Sequence, residues 1–187
     1  MSAIAPAIQK KLPSVTQILS PWSDFSMIKP EVLANAADRG TRVHQACAAI
    51  AQDLFYRAED DTAGYIESFK RAAALVDSFI FIEREFVSKT WGYMGHPDMM
   101  VRYKGEASFT LWDLKTPRSH QPTWNAQIAA YVAMVEETTK ADIGRCGCLR
   151  LNPDGGNPIF DEINPVEKIR AWEAFIGSLK AWQYFKH

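Results

Sequence analysis

The sequence predicts an α/β fold, a sandwich with helices on both faces of a mixed sheet. Three observations lead there. Helical patterns open and close the chain, with another between the β-rich runs. Those runs are short and bounded by turn signals, in the manner of hairpins. The composition, 47% apolar and 23% charged over 187 residues, suits one domain (1–187) with a full core.

The elements follow in order. Residues 1–11, MSAIAPAIQKK, read as a loose N-terminal arm. In LPSVTQILSPW, Ser14 or Thr16 caps a short helical turn before Pro21. Pro30, at a favoured first-turn position, opens a long helix through to Phe55, with a stripe at Val43, Cys47, Ile50 and Leu54. Gly40 interrupts it at a propensity cost of about 1 kcal/mol, which suggests that something approaches the backbone there. A second helix is expected over 61–79, then one strand, FIFIEREFVSKTW. GHPDMMVRYKGEASFTLWDLKT reads as two strands around a turn, stopped by Pro117. A helix starts near Pro122. RCGCLRLNPDGGNPIFDEI gives strand, turn and strand, and Pro165 opens a final amphipathic helix.

Several function classes lose support from composition alone. A formal net charge of −1 supplies no global field for nucleic acid or membrane, so any polyanion must meet a local patch. Cys47, Cys146 and Cys148 are too few and too scattered for a disulfide framework or a metal-cysteine site. They fit plain thiols in a reducing compartment. The N-terminus lacks a basic start followed by an apolar run, and no apolar stretch is long enough to span a bilayer. The expected location is the cytoplasm, with no membrane partner.

The hairpin carries the chemistry. A turn centred on Gly105-Glu106 sets Asp98 opposite Asp113, with facing Cβ atoms about 4.5–5.5 Å apart. Opposed like charges destabilise a ribbon unless a cation bridges them or one carboxyl is protonated. Period two then puts Asp113 and Lys115 on one face of the strand, with Trp112 and Leu114 on the other. Two carboxylates and an amine converging at one strand end suit a divalent metal, which takes oxygen ligands and keeps several waters. An isolated Asp-x-Lys is more commonly a solvated strand end. Two further features add weight. Gln127 and Tyr131 lie four apart, hence on one face of the following helix. His44 follows Arg39, Gly40 and Arg42 in RGTRVH.

Together these residues resemble the PD-(D/E)xK nuclease superfamily, in its RecB-type exonuclease branch. VTQIL and RGTRVH are similar to that branch's N-terminal segment, with its histidine at His44. GHPD supplies the first acidic motif at Asp98, DLK the second at Asp113 and Lys115, and QIAAY the Gln-x-x-x-Tyr motif at Gln127 and Tyr131. The motifs run in order along most of the chain. Small phage or prophage exonucleases and the mitochondrial genome-maintenance exonuclease are similar in this respect. Asp113 stands where many members have Glu. The four-cysteine iron–sulfur cluster and helicase motor of other members are missing from the sequence, and no mitochondrial targeting segment is evident, which favours a bacterial or phage setting.

The resemblance implies a restriction-endonuclease-like α/β/α sandwich and a Mg²⁺- or Mn²⁺-dependent DNA exonuclease of recombination, replication or repair. It implies that Asp98, Asp113 and the backbone carbonyl of Leu114 bind one ion. His44 adds a nitrogen ligand, for a second ion or a better fit to Mn²⁺. Lys115 orients water or offsets phosphate charge, and Gln127 and Tyr131 hold the lysine or a phosphate oxygen. Glu85 is a weaker candidate, more simply a surface glutamate. DNA contacts are expected from Arg39, Arg42, Thr116, Arg118 and Ser119, with Lys89 and Arg145 as further cations and Trp124 and Trp91 as stacking surfaces. A recombination or annealing protein is the implied partner. Two other readings stay open: a nuclease-fold adaptor that binds DNA ends without chemistry, and an endonuclease on the same core. The complete Asp, Asp, Lys set argues against the first. The lack of a separate recognition domain argues against a restriction enzyme.

Overall fold

The computed structural model describes residues 12–117 and 119–186. The arm expected over 1–11 and Arg118 lie outside the described residues. Among the described residues, thirteen segments of regular structure build an α/β fold. Helix α1 (Val15–Leu19) begins as the sequence suggests: Ser14 Oγ accepts from the Gln17 N–H, and the Gln17 side chain accepts from the Ser14 N–H. A short 3₁₀ turn, Ser20–Trp22, follows. Helix α2 (Pro30–Ala51) starts at its proline, and α3 covers Ala63–Ala73.

The strands are β1 (Val76–Ile82), β2 (Phe86–Ser88), β3 (Tyr93–Gly95), β4 (Met99–Tyr103), β5 (Phe109–Lys115), β6 (Ile143–Arg150) and β7 (Ile159–Glu162). Helix α4 (Pro122–Thr139) separates β5 from β6, and α5 (Pro165–Phe185) closes the described chain. The central sheet has order β1-β4-β5-β6-β7. It is mixed: β5 and β6 run parallel, joined through α4, and the other neighbours are antiparallel. Strands β2 and β3 form a separate ribbon.

Three boundaries differ from expectation, each for a physical reason. Helix α2 ends at Ala51, so Leu54 leaves the buried stripe and is 58% exposed. The second helix stops at Ala73 because Val76–Phe79 pair with β4, and β-branched and aromatic residues prefer that ladder. The long strand over 79–91 breaks at Glu83–Glu85, where Glu83 adopts φ 46°. A non-glycine residue in that left-handed region is strained by its Cβ.

The β4–β5 register is the one read from the sequence: Met99 pairs with Trp112, Met100 with Leu111 and Val101 with Thr110. Continued by one pair, it sets Asp98 against Asp113. Alternate residues of β5 enter two different cores. Leu111 packs with α4 and α5 residues such as Ile128 and Phe175. Trp112 and Leu114 pack with Val43 and Cys47 of α2 and Phe69 of α3. Phe69 meets Trp112 edge-on at 6.3 Å. The face that carries Asp113 is therefore also covered, and Asp113 is only 2% exposed. No helix among the described residues is long and apolar enough to cross a membrane.

Candidate functional site

The site forms where β4 begins and β5 ends. Asp98 comes just before β4. Its Oδ2 accepts the Leu114 N–H at 2.6 Å, and its Oδ1 lies 3.3 Å from His44 Nδ1, which α2 projects from the other core. Glu83 Oε1 stands 3.8 Å from the same nitrogen. His44, Glu83 and Asp98 each offer one ligand atom, all within 4.8 Å of one another. Glu83 is held there by its own backbone: its N–H donates to the Asp98 carbonyl at 2.7 Å, fixing the strained turn that ends β1.

Asp113 sits behind this trio. Lys115 reaches back to pair with Asp113 Oδ2 and donates to Gln127 Oε1 at 3.0 Å. Gln127 Nε2 donates to Tyr131 Oη at 3.0 Å and lies 3.5 Å from Asp113 Oδ1. Gly95 makes room for this arrangement, because a Cβ there would come within 2.6 Å of the Tyr131 ring. The opposed aspartates are tolerated because each has its own partners, His44 and the Leu114 N–H for Asp98, Lys115 for Asp113. Lys115 O accepts from Leu151 on the β6 side. The Leu114 N–H points the other way, and extended backbone directs the carbonyl of a residue to the same side as its N–H. The Leu114 carbonyl thus faces the Asp98 edge.

Electrostatics follow from burial and proximity. Burial works against a charged His44, but Asp98, Asp113 and Glu83 outweigh it and push its pKa up to about 9. Burial, reinforced by Asp98, lifts Glu83 to about 7 despite the opposing pull of His44. Burial also raises Asp113, with Lys115 pulling it down. Burial lowers Lys115, but the Asp113 carboxylate holds it above the ordinary range. Perturbed groups gathered in one cleft are the usual mark of a functional site.

Not every expected residue joins. Arg42 is taken up by Asp38, Glu59 and Asp61. Arg145 pairs with Glu162 and Glu106 and lies between Tyr103 and Phe160. Arg39 rests over the Tyr65 ring at 5.8 Å. Glu85 pairs with His96 on the surface. Lys89 lies in a turn whose backbone donates to Glu137, and Trp91 packs against Trp172. Trp124 is buried and presents no open face for a base. Thr116 is nearly buried and Ser119 is exposed, both in the segment after β5. A Cβ on Gly40 would lie 3.7 Å from Thr116 Oγ1, an ordinary contact, so no close approach demands the glycine. An open trough of about 650 Å³ runs along α2, lined by Ala37, Gly40, Thr41 and Ala48, and includes His44 and Glu83.

Glu83 is the residue that sequence reasoning missed. The signal was the charged Glu83-Arg84-Glu85 interruption of an apolar strand, but nothing in it favoured Glu83 over Glu85. No known family model matches the chain, and no curated protein matches it.

Proposed function

We propose that this chain is a metal-dependent deoxyribonuclease of PD-(D/E)xK type, hydrolysing phosphodiester bonds from DNA ends on an α/β/α sandwich. One observation carries the reading. Segments far apart in sequence bring an imidazole, three carboxylates and an ammonium to one strand end, with Gln127 linking the ammonium to Tyr131. Burying like charges is costly, and a fold keeps such an arrangement where function uses it.

The donor set fits a divalent cation. His44, Glu83 and Asp98 would hold it, with Asp113 and the Leu114 carbonyl beside them. One nitrogen among hard oxygens suits Mn²⁺ as well as Mg²⁺. Such an ion, when bound, lowers the pKa of water and neutralises charge on the phosphate. The chain's own residues do the rest. Lys115 offsets negative charge developing on the phosphate oxygens and orients the attacking water. Gln127 fixes the ammonium, and Tyr131 fixes Gln127. Bacterial or phage recombination, replication or repair is the setting that fits this activity.

The test is digestion of end-labelled linear DNA and of closed circular DNA with Mg²⁺, with Mn²⁺ and with chelator. Metal-dependent loss of label from linear DNA alone supports the exonuclease. Cleavage of closed circles moves the assignment to an endonuclease. No hydrolysis with either metal removes the enzymatic reading and leaves a DNA-end adaptor.

A further inference from the structure

We infer that Trp124 is a positioning residue for Lys115 rather than a stacking surface for DNA bases. The inference rests on the nuclease reading for its consequence but on separate observations for its geometry. Trp124, Gln127 and Tyr131 sit at i, i+3 and i+7 of α4, one stripe along the helix. Gln127 meets Lys115 and Asp113, and Tyr131 meets Gln127. Trp124 completes the stripe: the Lys115 Nζ lies over its ring, 5.4 Å from the centroid. An ammonium within about 6 Å of an indole centroid is attracted by the ring's negative face, most strongly where water is excluded. Water is largely excluded here, since Trp124 is 7% exposed and the Lys115 side chain 16%.

The ring is itself held from outside. His120 meets it edge-on at 5.2 Å. His120 Nε2 is 3.0 Å from Asn125 Oδ1, and Asn125 Nδ2 donates to Glu167 Oε1 of α5 at 3.3 Å. A chain from α5 through His120 thus fixes the indole, and the indole limits where the ammonium can stand. Asp113 and Gln127 bind Lys115 from two directions, and Trp124 supplies a third. A third direction further restricts the flexible four-carbon side chain that Asp113 and Gln127 already hold. With its faces covered, the same ring cannot receive a base unless α4 moves.

The test compares wild-type protein with Trp124→Phe and Trp124→Leu, each first shown to melt cooperatively. Metal-dependent hydrolysis is measured with kcat and KM separated. Trp124→Leu is expected to lower kcat about tenfold with KM for DNA little changed, since about 1.4 kcal/mol of lost positioning corresponds to a factor of ten. Trp124→Phe, which keeps an aromatic face, is expected to recover most of that loss. A raised KM with unchanged kcat would show that the ring touches DNA and would overturn the inference, as would equal activity of the leucine and phenylalanine variants. A second arm needs no activity: labelling of lysines by an amine reagent, quantified residue by residue by mass spectrometry. Lys115 should react several-fold faster in Trp124→Leu than in wild type, and near the wild-type rate in Trp124→Phe. Unchanged reactivity in the leucine variant would overturn the inference. If wild-type protein hydrolyses no DNA, the nuclease reading fails while the labelling arm still decides the role of Trp124.

Discussion

The two sides of the candidate site differ in exposure and in how their charges are balanced. On one side His44 and Glu83 have side chains 30% and 39% exposed, facing an open trough. On the other, Asp113 and Lys115 are 3% and 16% exposed, and Gln127 and Tyr131 close the arrangement behind them. Asp98 joins the two, with one oxygen toward His44 and the other on the Leu114 backbone. The difference suggests a division of labour. In the proposed nuclease, His44 and Glu83, open to solvent beside the buried Asp98, would exchange water for an ion. In the same reading the buried ion pair would keep its geometry through turnover, because reorganising buried charges is costly.

Neutralising the buried side should have the largest effect. Asp113→Asn keeps the size and a hydrogen-bond acceptor for Lys115, and it should reduce hydrolysis by about a thousandfold or more. Circular dichroism and a cooperative melt should show the fold retained. Activity near wild type would mean that the buried pair is only structural. On the open side, Glu83→Gln should act differently, raising the metal concentration needed for half-maximal rate by about ten- to a hundredfold. Saturating Mn²⁺ should restore most of the rate. Equal metal requirements for the two proteins would remove Glu83 from the ligand set.

Glycine substitutions sharpen the contrast at smaller cost. A Cβ on Gly95 would press within 2.6 Å of the Tyr131 ring and 3.1 Å of Met134. Gly95→Ala should therefore destabilise by about 1–3 kcal/mol and lower the rate through Gln127, read by chemical denaturation and initial velocities. Gly40→Ala places its Cβ 3.7 Å from Thr116 Oγ1, with room to spare. It should stabilise α2 by up to about 1 kcal/mol.

The open side should contribute to the pH dependence of the metal-free protein, in the same direction as the buried Asp113, whose pKa burial also raises. His44 and Glu83 both have folded-state pKa values raised, to about 9 and about 7. A raised group adds stability that is complete below its unfolded pKa and is lost as pH rises through the folded value. In chelator, the melting temperature should fall as pH rises from about 5 to about 9, by a few degrees. Excess Mn²⁺ should flatten that fall, since bound metal replaces the lost protons. A flat profile in chelator would show that these groups feel little of each other's charge.

The fold was legible where local signals were strong. The β4–β5 register followed from a turn centred on Gly105-Glu106, and Pro30, Pro122 and Pro165 marked helix starts that the structure keeps. The α3–β1 boundary was not, because Val76–Phe79 suit a helix or a strand until β4 offers a partner. Within the site, Asp98, Asp113, Lys115, Gln127 and Tyr131 came from spacing together with the resemblance of their motifs, and do lie together. Glu83 could not, since its place depends on a left-handed backbone residue that no side-chain pattern announces. The expected basic path also failed to emerge from single residues: the partners of Arg42 lie up to 19 positions away in sequence. The counter-charges of Arg145 on Glu106 and Glu162 are likewise visible only once the strands are paired.

The most direct measurement is anomalous diffraction from a crystal soaked in manganese. A peak is expected in ligand contact with His44, Glu83 and Asp98, at the mouth of the trough and in front of the Asp113–Lys115 pair. A well-ordered crystal at saturating Mn²⁺ with no peak there, and with those three side chains turned apart, would contradict it.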